Sequence, residues 1–368
     1  MKFNIQRNEL IRAINMVVRA VSTKTSMEIL KGILFELDNN TLTLTTNNLQ
    51  MSIQTTLPCQ IYETGKFIID AKMINDIVRK LEEDTIHFSI VETTDLIEVR
   101  CKNSKFNIKY VKYEDFPMPS YIDENSFVKI DAQKLKNQIL KTGYAISGNN
   151  PNPIYQSHFM KIDYGKINMF SIDGFRIVIM NQDYDDMSYD DKRFILQGQS
   201  MIEISKIIED KDEFIKFGYD DRHICFMTEN TIITTNLVTG KFLETSDFLP
   251  KESDFKSIAK IKLSDFKSAV ERVALMSSNK LIKFSTKDFL MNIESRNDAV
   301  GDAKEIVDIN LEGSDFEIAF NGDFILDAIR YIDEEYININ IVDSLSPCVI
   351  TPENNKNYQN VVLPVRMR

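Results

Sequence analysis

The feature that most limits what this chain can fold into is a pattern that recurs three times at near-constant spacing. KFNIQRNELIRAINMVVRAVS runs from Lys2 to Ser22, FVKIDAQKLKNQILKTGYAIS from Phe127 to Ser147, and AKIKLSDFKSAVERVALMSS from Ala259 to Ser278. In each copy an isoleucine (Ile5, Ile130, Ile261) is followed five residues on by Leu10, Leu135 or Phe266. Four residues later comes Ile14, Ile139 or Val270, and eight beyond that Ser22, Ser147 or Ser278. A unit spanning about a third of the chain implies three tandem copies of one domain, since solenoid repeats are much shorter.

Each unit opens on a short alternating strand, with Phe3 and Ile5 on one face of the first. It continues as an amphipathic helix, in which Leu10, Ile14, Val17 and Val21 fall at helical spacing. Strands of period two follow, as in NTLTLTTNN and GKINMFSIDG. A second helix is expected after Ala71, Ser200 and Asp323, with Asp76, Glu203 and Asp327 at one position and Leu81, Ile208 and Ile332 at another. The segments DFPMPS (115–120) and DFLPKES (247–253) carry proline, which removes a donor and fixes φ, and read as interdomain connections. The expected fold class is therefore α+β, three copies of a domain with two helices packed on antiparallel sheet. The boundaries fall at 1–122, 123–254 and 255–368.

Apolar content of 43% and charged content of 27% are ordinary for a globular chain of 368 residues. Cys59, Cys101, Cys225 and Cys348 are scattered without ligand or framework spacing, which fits a reducing, cytoplasmic compartment. Met1 leads straight into the first repeat, so no signal peptide is expected, and no apolar run reaches the length of a membrane span. Catalytic signatures are absent too. His87, His158 and His223 lie in separate segments and read as satisfied structural histidines. Neither a Gly-rich phosphate loop, G-x-S-x-G nor H-E-x-x-H occurs. The aspartate-rich run from Asp183 to Asp191 has Ser188 where a calcium loop needs glycine and Phe194 where it needs glutamate, so it reads as a solvated loop. No catalytic residue, metal or cofactor is expected.

A net charge of −11 argues, taken alone, against nucleic acid as a partner. The charge is unevenly distributed, however. The three first helices, taken as 5–21, 130–146 and 261–277, carry nine Lys and Arg against four Asp and Glu. The second helices, taken as 71–82, 199–209 and 322–333, carry five against seven. The helices are thus basic relative to the rest of the chain. Charged helix faces often serve solubility alone. Three equivalent basic helices on one surface would also attract a phosphate backbone without reading bases, weakly and with strong salt dependence.

At this point the residues resemble a known family, the bacterial DNA polymerase III beta subunit, or sliding clamp. The likeness runs through the MKF start, MEILKGILFEL at 27–37, SIDGFRIV at 171–178, LVTGKF with LPK at 237–251, and the terminal VVLPVRMR. The resemblance implies a non-catalytic processivity factor, in which two chains join head to tail into a ring around double-stranded DNA. Helices would line the hole and sheets form the outside. It implies retention by topology, with weak inner contacts that allow sliding.

It further implies that a replicative polymerase, a clamp loader and repair proteins insert short linear peptides into a groove between the second and third domains. Here the groove would comprise Tyr155, Ile172, Gly174, Phe175, Arg176, Ile177, Leu243, Asp247 and Phe248. The tail residues Val361, Val362, Leu363, Pro364, Val365, Arg366 and Met367 would complete it. Arg176 and Arg366 would orient the peptide's polar groups, while apolar anchors would each gain about 1.5–3 kcal/mol on burial. Two departures bear on peptide preference. The family's Thr-Asp-Gly-His-Arg reads Ile172-Asp173-Gly174-Phe175-Arg176 here, and a basic residue often stands where this chain has Asp247. For DNA the resemblance points to Lys24, Lys72 and Asn149, then Arg79, Lys80, Lys141, Lys206 and Asn279. For the subunit seam it points to Phe106 and Ile108 facing Leu275 and Met276. Two other readings stand beside it: a three-domain protein-interaction scaffold that binds no nucleic acid, and an enzyme with its site between domains.

Overall fold

The computed structural model describes residues 1–22, 24–91, 94–120, 122–123, 127–184, 191–277, 279–297 and 299–366. Its elements follow the repeat. The first comprises β1 (Lys2–Gln6), α1 (Arg7–Val17), β2 (Gly32–Asp38), β3 (Thr41–Asn47), β4 (Met51–Pro58) and β5 (Gln60–Glu63). It continues with β6 (Gly65–Asp70), α2 (Ala71–Lys80), β7 (Thr85–Val91), β8 (Leu96–Cys101) and β9 (Ser104–Lys109). The second comprises β10 (Val128–Asp131), α3 (Ala132–Gly143), β11 (Ser157–Asp163), β12 (Lys166–Ile172), β13 (Arg176–Asp183), β14 (Lys192–Gln197), α4 (Gly198–Ile207), β15 (Phe214–Tyr219), β16 (His223–Met227) and β17 (Thr231–Asn236). The third comprises β18 (Ser257–Lys262), α5 (Leu263–Ala274), β19 (Leu281–Lys287), β20 (Leu290–Asn297), β21 (Gly301–Gly313), β22 (Glu317–Asn321), α6 (Gly322–Ile329), β23 (Tyr336–Ile341), β24 (Cys348–Pro352) and β25 (Tyr358–Val362).

The helices are shorter than the sequence pattern suggests. Each first α-helix starts two residues after the repeat's isoleucine, which belongs to a strand, and ends at Val17, Gly143 or Ala274, short of 21, 146 and 277; in the first repeat a 3-10 turn, Val18–Ala20, carries the winding on to 20. In two repeats a buried hydroxyl from the sheet meets the helix's terminal carbonyls. Thr46 Oγ1 donates to the Val17 carbonyl at 2.5 Å, and Ser295 Oγ to the Val273 carbonyl at 2.7 Å. The Val273 carbonyl also accepts from the Met276 amide at 3.2 Å, so the hydroxyl adds a second bond at the helix end. Asp70 accepts from the Met73 amide at 2.7 Å and Asn321 from the Asp323 amide at 3.0 Å, fixing the starts of α2 and α6.

The chain forms two compact units, Met1–Gln133 with Glu203–Leu237, and Lys134–Ile202 with Val238–Arg368. The middle repeat contributes to both because each of its sheets is continued by one neighbour. The first unit holds a five-stranded sheet, β5-β1-β7-β8-β9, and an eight-stranded one, β10-β15-β16-β17-β4-β3-β2-β6. In the second unit a twelve-stranded ladder runs β14-β11-β12-β13-β25-β24-β23-β18-β21-β20-β19-β22. Helix α1 packs on α2, and α5 on α6. Their buried stripes are Leu10, Ala13, Ile14 and Val17 in α1, and Phe266, Ala269, Val270 and Val273 in α5.

Two of these strand pairings join one repeat to the next, and they share a register. At the first junction, β4 meets β17 with Ile53 opposite Ile233. At the second, β13 meets β25 with Val178 opposite Asn360. Ile53 and Val178 are equivalent, each standing across its hairpin from a buried hydroxyl, Thr46 or Ser171. In the third repeat Ala303 holds that position, across from Ser295. The other partner is traced through the opposite sheet. Ile233 and Asn360 face Phe226 and Ile350, and in the first repeat Phe106 faces Val99 in the same way. Residues 301–308 of β21 pair with β20 on one side, and no strand among the described residues pairs with the other. Strand β9 is an edge likewise.

Candidate functional site: an apolar groove

In the second unit the β12–β13 turn, the 245–248 segment and the end of β25 enclose a cavity of about 360 Å³. Tyr155, Ile172, Gly174, Arg176, Ile177, Asp247, Phe248, Val361 and Leu363 line it, together with Pro347. Sequence reasoning missed Pro347, which sits just before β24, far along the chain from the motif that marks the groove. The turn is set locally. Asp173 Oδ1 accepts from the Phe175 and Arg176 amides at 2.9 and 3.1 Å, and Gly174 takes φ +93°, a conformation that side chains with a Cβ rarely adopt. Leu363 N donates to the Phe175 carbonyl at 2.9 Å and Val365 N to that of Ala319 at 2.8 Å, which pins the tail along the rim.

The remaining expected groove residues that the structure describes do not line the cavity. Phe175 is 61% exposed, and its ring stacks on Phe324 with centroids 6.1 Å apart. Leu243 packs against the apolar cluster that includes Ile172 and Ile177. Val362 is buried in the third repeat's core. Pro364 is half-buried, Val365 and Arg366 are exposed, and Met367 lies outside the described residues.

Arg176 is held differently from the sequence expectation. Its Nε donates to Asp173 at 2.8 Å, Nη1 to Asp327 at 2.5 Å and Nη2 to the Tyr144 carbonyl at 3.2 Å. The guanidinium also lies over the Phe324 ring at 4.6 Å and the Tyr144 ring at 5.3 Å. Burial opposes its charge, and the two carboxylates more than compensate, so its pKa is raised. Arg330 in turn pairs with Asp327 at 2.6 Å. Arg176 is therefore a strut fixing the groove wall to α6, its charge already balanced by two carboxylates, with three of its five N–H groups engaged.

The residues expected at DNA fall in both units. In the first, Lys24, Lys72, Arg79 and Lys80 are exposed, and Lys206 Nζ lies 2.7 Å from Glu203. In the second, Asn149 and Asn279 are exposed. Lys141 is not: its side chain is only 18% exposed, with Nζ 3.5 Å from Asp333 and 5.4 Å from the centre of the Tyr358 ring. Of the expected seam residues, Leu275 is 83% and Phe106 37% exposed, Met276 is half-buried, and Ile108 at 3% belongs to its own sheet's core. Among the described residues no group of His, Cys, Asp and Glu is placed to hold a metal ion. Residues 185–190 of the aspartate-rich run lie outside them.

His158 is structural, as expected, yet it is not satisfied. It is fully buried on β11, and neither ring nitrogen meets a partner at hydrogen-bonding geometry. Its cross-strand neighbour Ser171 is buried with an unpartnered hydroxyl as well.

A triplicated α+β chain, whose repeats join sheet to sheet in one register and which carries an apolar groove at its second junction, defines a clamp-type architecture. The comparisons with known proteins agree. Models of the DNA polymerase III beta subunit match throughout: its N-terminal domain at residues 1–120, its central domain at 129–244 and its C-terminal domain at 247–366. The chain belongs to the DNA polymerase III beta subunit family. Among its relatives is the beta sliding clamp of Staphylococcus epidermidis, 26% identical over 100% of this chain and 99% of that protein. A putative DNA polymerase III beta subunit from Eubacterium rectale superposes with a TM-score of 0.94 at 29% identity, covering 100% of both chains. The sliding clamp of Bacillus subtilis shares the fold, with a TM-score of 0.95 at 24% identity over 100% of both chains.

Proposed function

We propose that this chain is a DNA polymerase processivity factor, a non-catalytic accessory subunit. Two copies close head to tail around duplex DNA and tether partner proteins through the groove. The family supports the role, and one observation carries the ring. Both internal junctions use the same pair of strands in the same register, and this leaves one unmatched strand of each kind, β21 and β9. A second copy supplies the missing partner. Applied a third time, the rule sets Phe106 of one protomer opposite Ala303 of its partner, with the exposed Leu275 adding apolar area. An edge-strand seam of this kind opens without unfolding either chain.

In this reading the chain consists of three domains, 1–122, 123–254 and 255–368. Lys24, Lys72, Arg79, Lys80, Asn149 and Asn279 meet phosphates, while Lys141 and Lys206 contribute less because carboxylates already neutralise them. The groove takes apolar anchors of short peptides from the polymerase, the loader and repair proteins. The cytoplasm suits four free cysteines, and no helix among the described residues is long and apolar enough to cross a membrane. The experiment is retention on nicked circular DNA after loading. Release on linearisation is expected, and equal retention on linear DNA with free ends would end the ring reading. The net charge of −11 favours a second reading, a protein scaffold that ignores DNA, for which no retention on either form is expected.

A further inference from the structure

The groove carries two charged side chains, Arg176 and Asp247, and only one of them is already paired. Arg176 lies between Asp173 and Asp327, and Arg330 balances the second carboxylate, so that group of four is neutral overall. Asp247 is exposed at the end of the short turn Thr245–Asp247, with its amide held by the Glu244 carbonyl at 3.1 Å. Its carboxylate has no ion-pair partner among the described residues. The cavity wall around it is apolar: Tyr155, Ile172, Ile177, Phe248, Pro347 and Val361. A single uncompensated negative charge beside a low-dielectric wall is felt by any charged group that settles there.

We propose that Asp247 is a specificity-determining residue of the groove. It favours peptides that carry lysine or arginine beside their apolar anchors, and disfavours those that carry glutamate or aspartate there. This rests on the reading of the groove as a peptide site. The attraction is that of an exposed ion pair and the penalty that of like charges at the same distance, so the discrimination is modest, about two- to fivefold in Kd. It falls away in 1 M salt, where screening acts over about 3 Å.

The test uses the full-length protein and a fluorescein-labelled, end-blocked hexapeptide bearing two leucines and a phenylalanine. Lysine, alanine or glutamate is placed at each non-anchor position in turn, and anisotropy gives Kd at low and high salt. At one or more positions the lysine peptide is expected to bind more tightly than the glutamate peptide by two- to fivefold. Asp247→Asn should abolish that order and Asp247→Lys should reverse it, with the alanine peptide little changed. Binding with no charge preference, or a preference that persists in Asp247→Asn, overturns the proposal and leaves the groove intact. Failure of every peptide to bind overturns the groove reading and the proposal together.

Discussion

Replacing His158 with isoleucine is expected to stabilise the second unit and remove much of its sensitivity to mild acid. The equivalent positions in the other repeats, Ile33 and Ile282, are fully buried isoleucines, each the second residue of the corresponding strand. His158 sits in that apolar site, where neither ring nitrogen reaches hydrogen-bonding geometry and the nearby Ile139 carbonyl is the one group that favours its charged form. Burial pushes its pKa down from 6.5 to about 4, and the Ile139 carbonyl offsets this only in part. The folded state therefore resists protonation more than the unfolded chain does. Above pH 6.5 both states are neutral at this residue and stability does not depend on it. Between 6.5 and about 4 the unfolded chain takes up the proton first, so stability falls as pH falls and levels off below. The full loss is about 3 kcal/mol, and about 2 kcal/mol is already gone at pH 5. At neutral pH the isoleucine also removes unsatisfied buried nitrogens, a gain of about 1–2 kcal/mol. Urea denaturation followed by circular dichroism at pH 7.5 and pH 5.0 measures both. The variant should be more stable at each pH, and its advantage should widen by about 2 kcal/mol at the lower one. An advantage that stays constant between the two, or a variant less stable than the parent at both, would refute the reasoning.

Two further outcomes follow from the groove and the seam. Arg176→Ala leaves Asp173 and Asp327 facing each other with one guanidinium fewer, and should cost about 3 kcal/mol in urea denaturation. Arg176→Lys should recover little of that, because an ammonium cannot reproduce the planar fork; a stability within about 0.5 kcal/mol of the parent would refute the strut. Phe106→Ala combined with Leu275→Ala should sediment as a 42.6 kDa monomer under conditions where the parent is a dimer, and an unchanged dimer would place the seam elsewhere.

Much of the architecture was legible because the repeat is long and its apolar spacing is strict. Ile5, Ile130 and Ile261 each mark the strand that precedes a helix. Helix ends were not legible, since Thr46 and Ser295, which bond carbonyls of the last turns of α1 and α5, arrive from distant strands. The groove motif could be read around Ile172 to Ile177, whereas Pro347 reaches the cavity from a loop with no local signal. The role of Arg176 was hidden for the same reason: Asp327 lies 151 residues away. His158 looked ordinary in sequence, and only alignment of strand ladders reveals that it stands where the other repeats have a buried isoleucine. The open edge of β21 was equally invisible, because strand pairing is a property of register and not of composition.

The most direct test of the closed ring is disulfide cross-linking across the proposed third junction. With Phe106→Cys and Ala303→Cys in the same chain, mild oxidation should join two protomers into one covalent species, since the native cysteines are buried or partly buried. Joining through a pair shifted by two residues, Phe106→Cys with Glu305→Cys, in place of this one would contradict the shared register. No joining of either pair would contradict the seam itself.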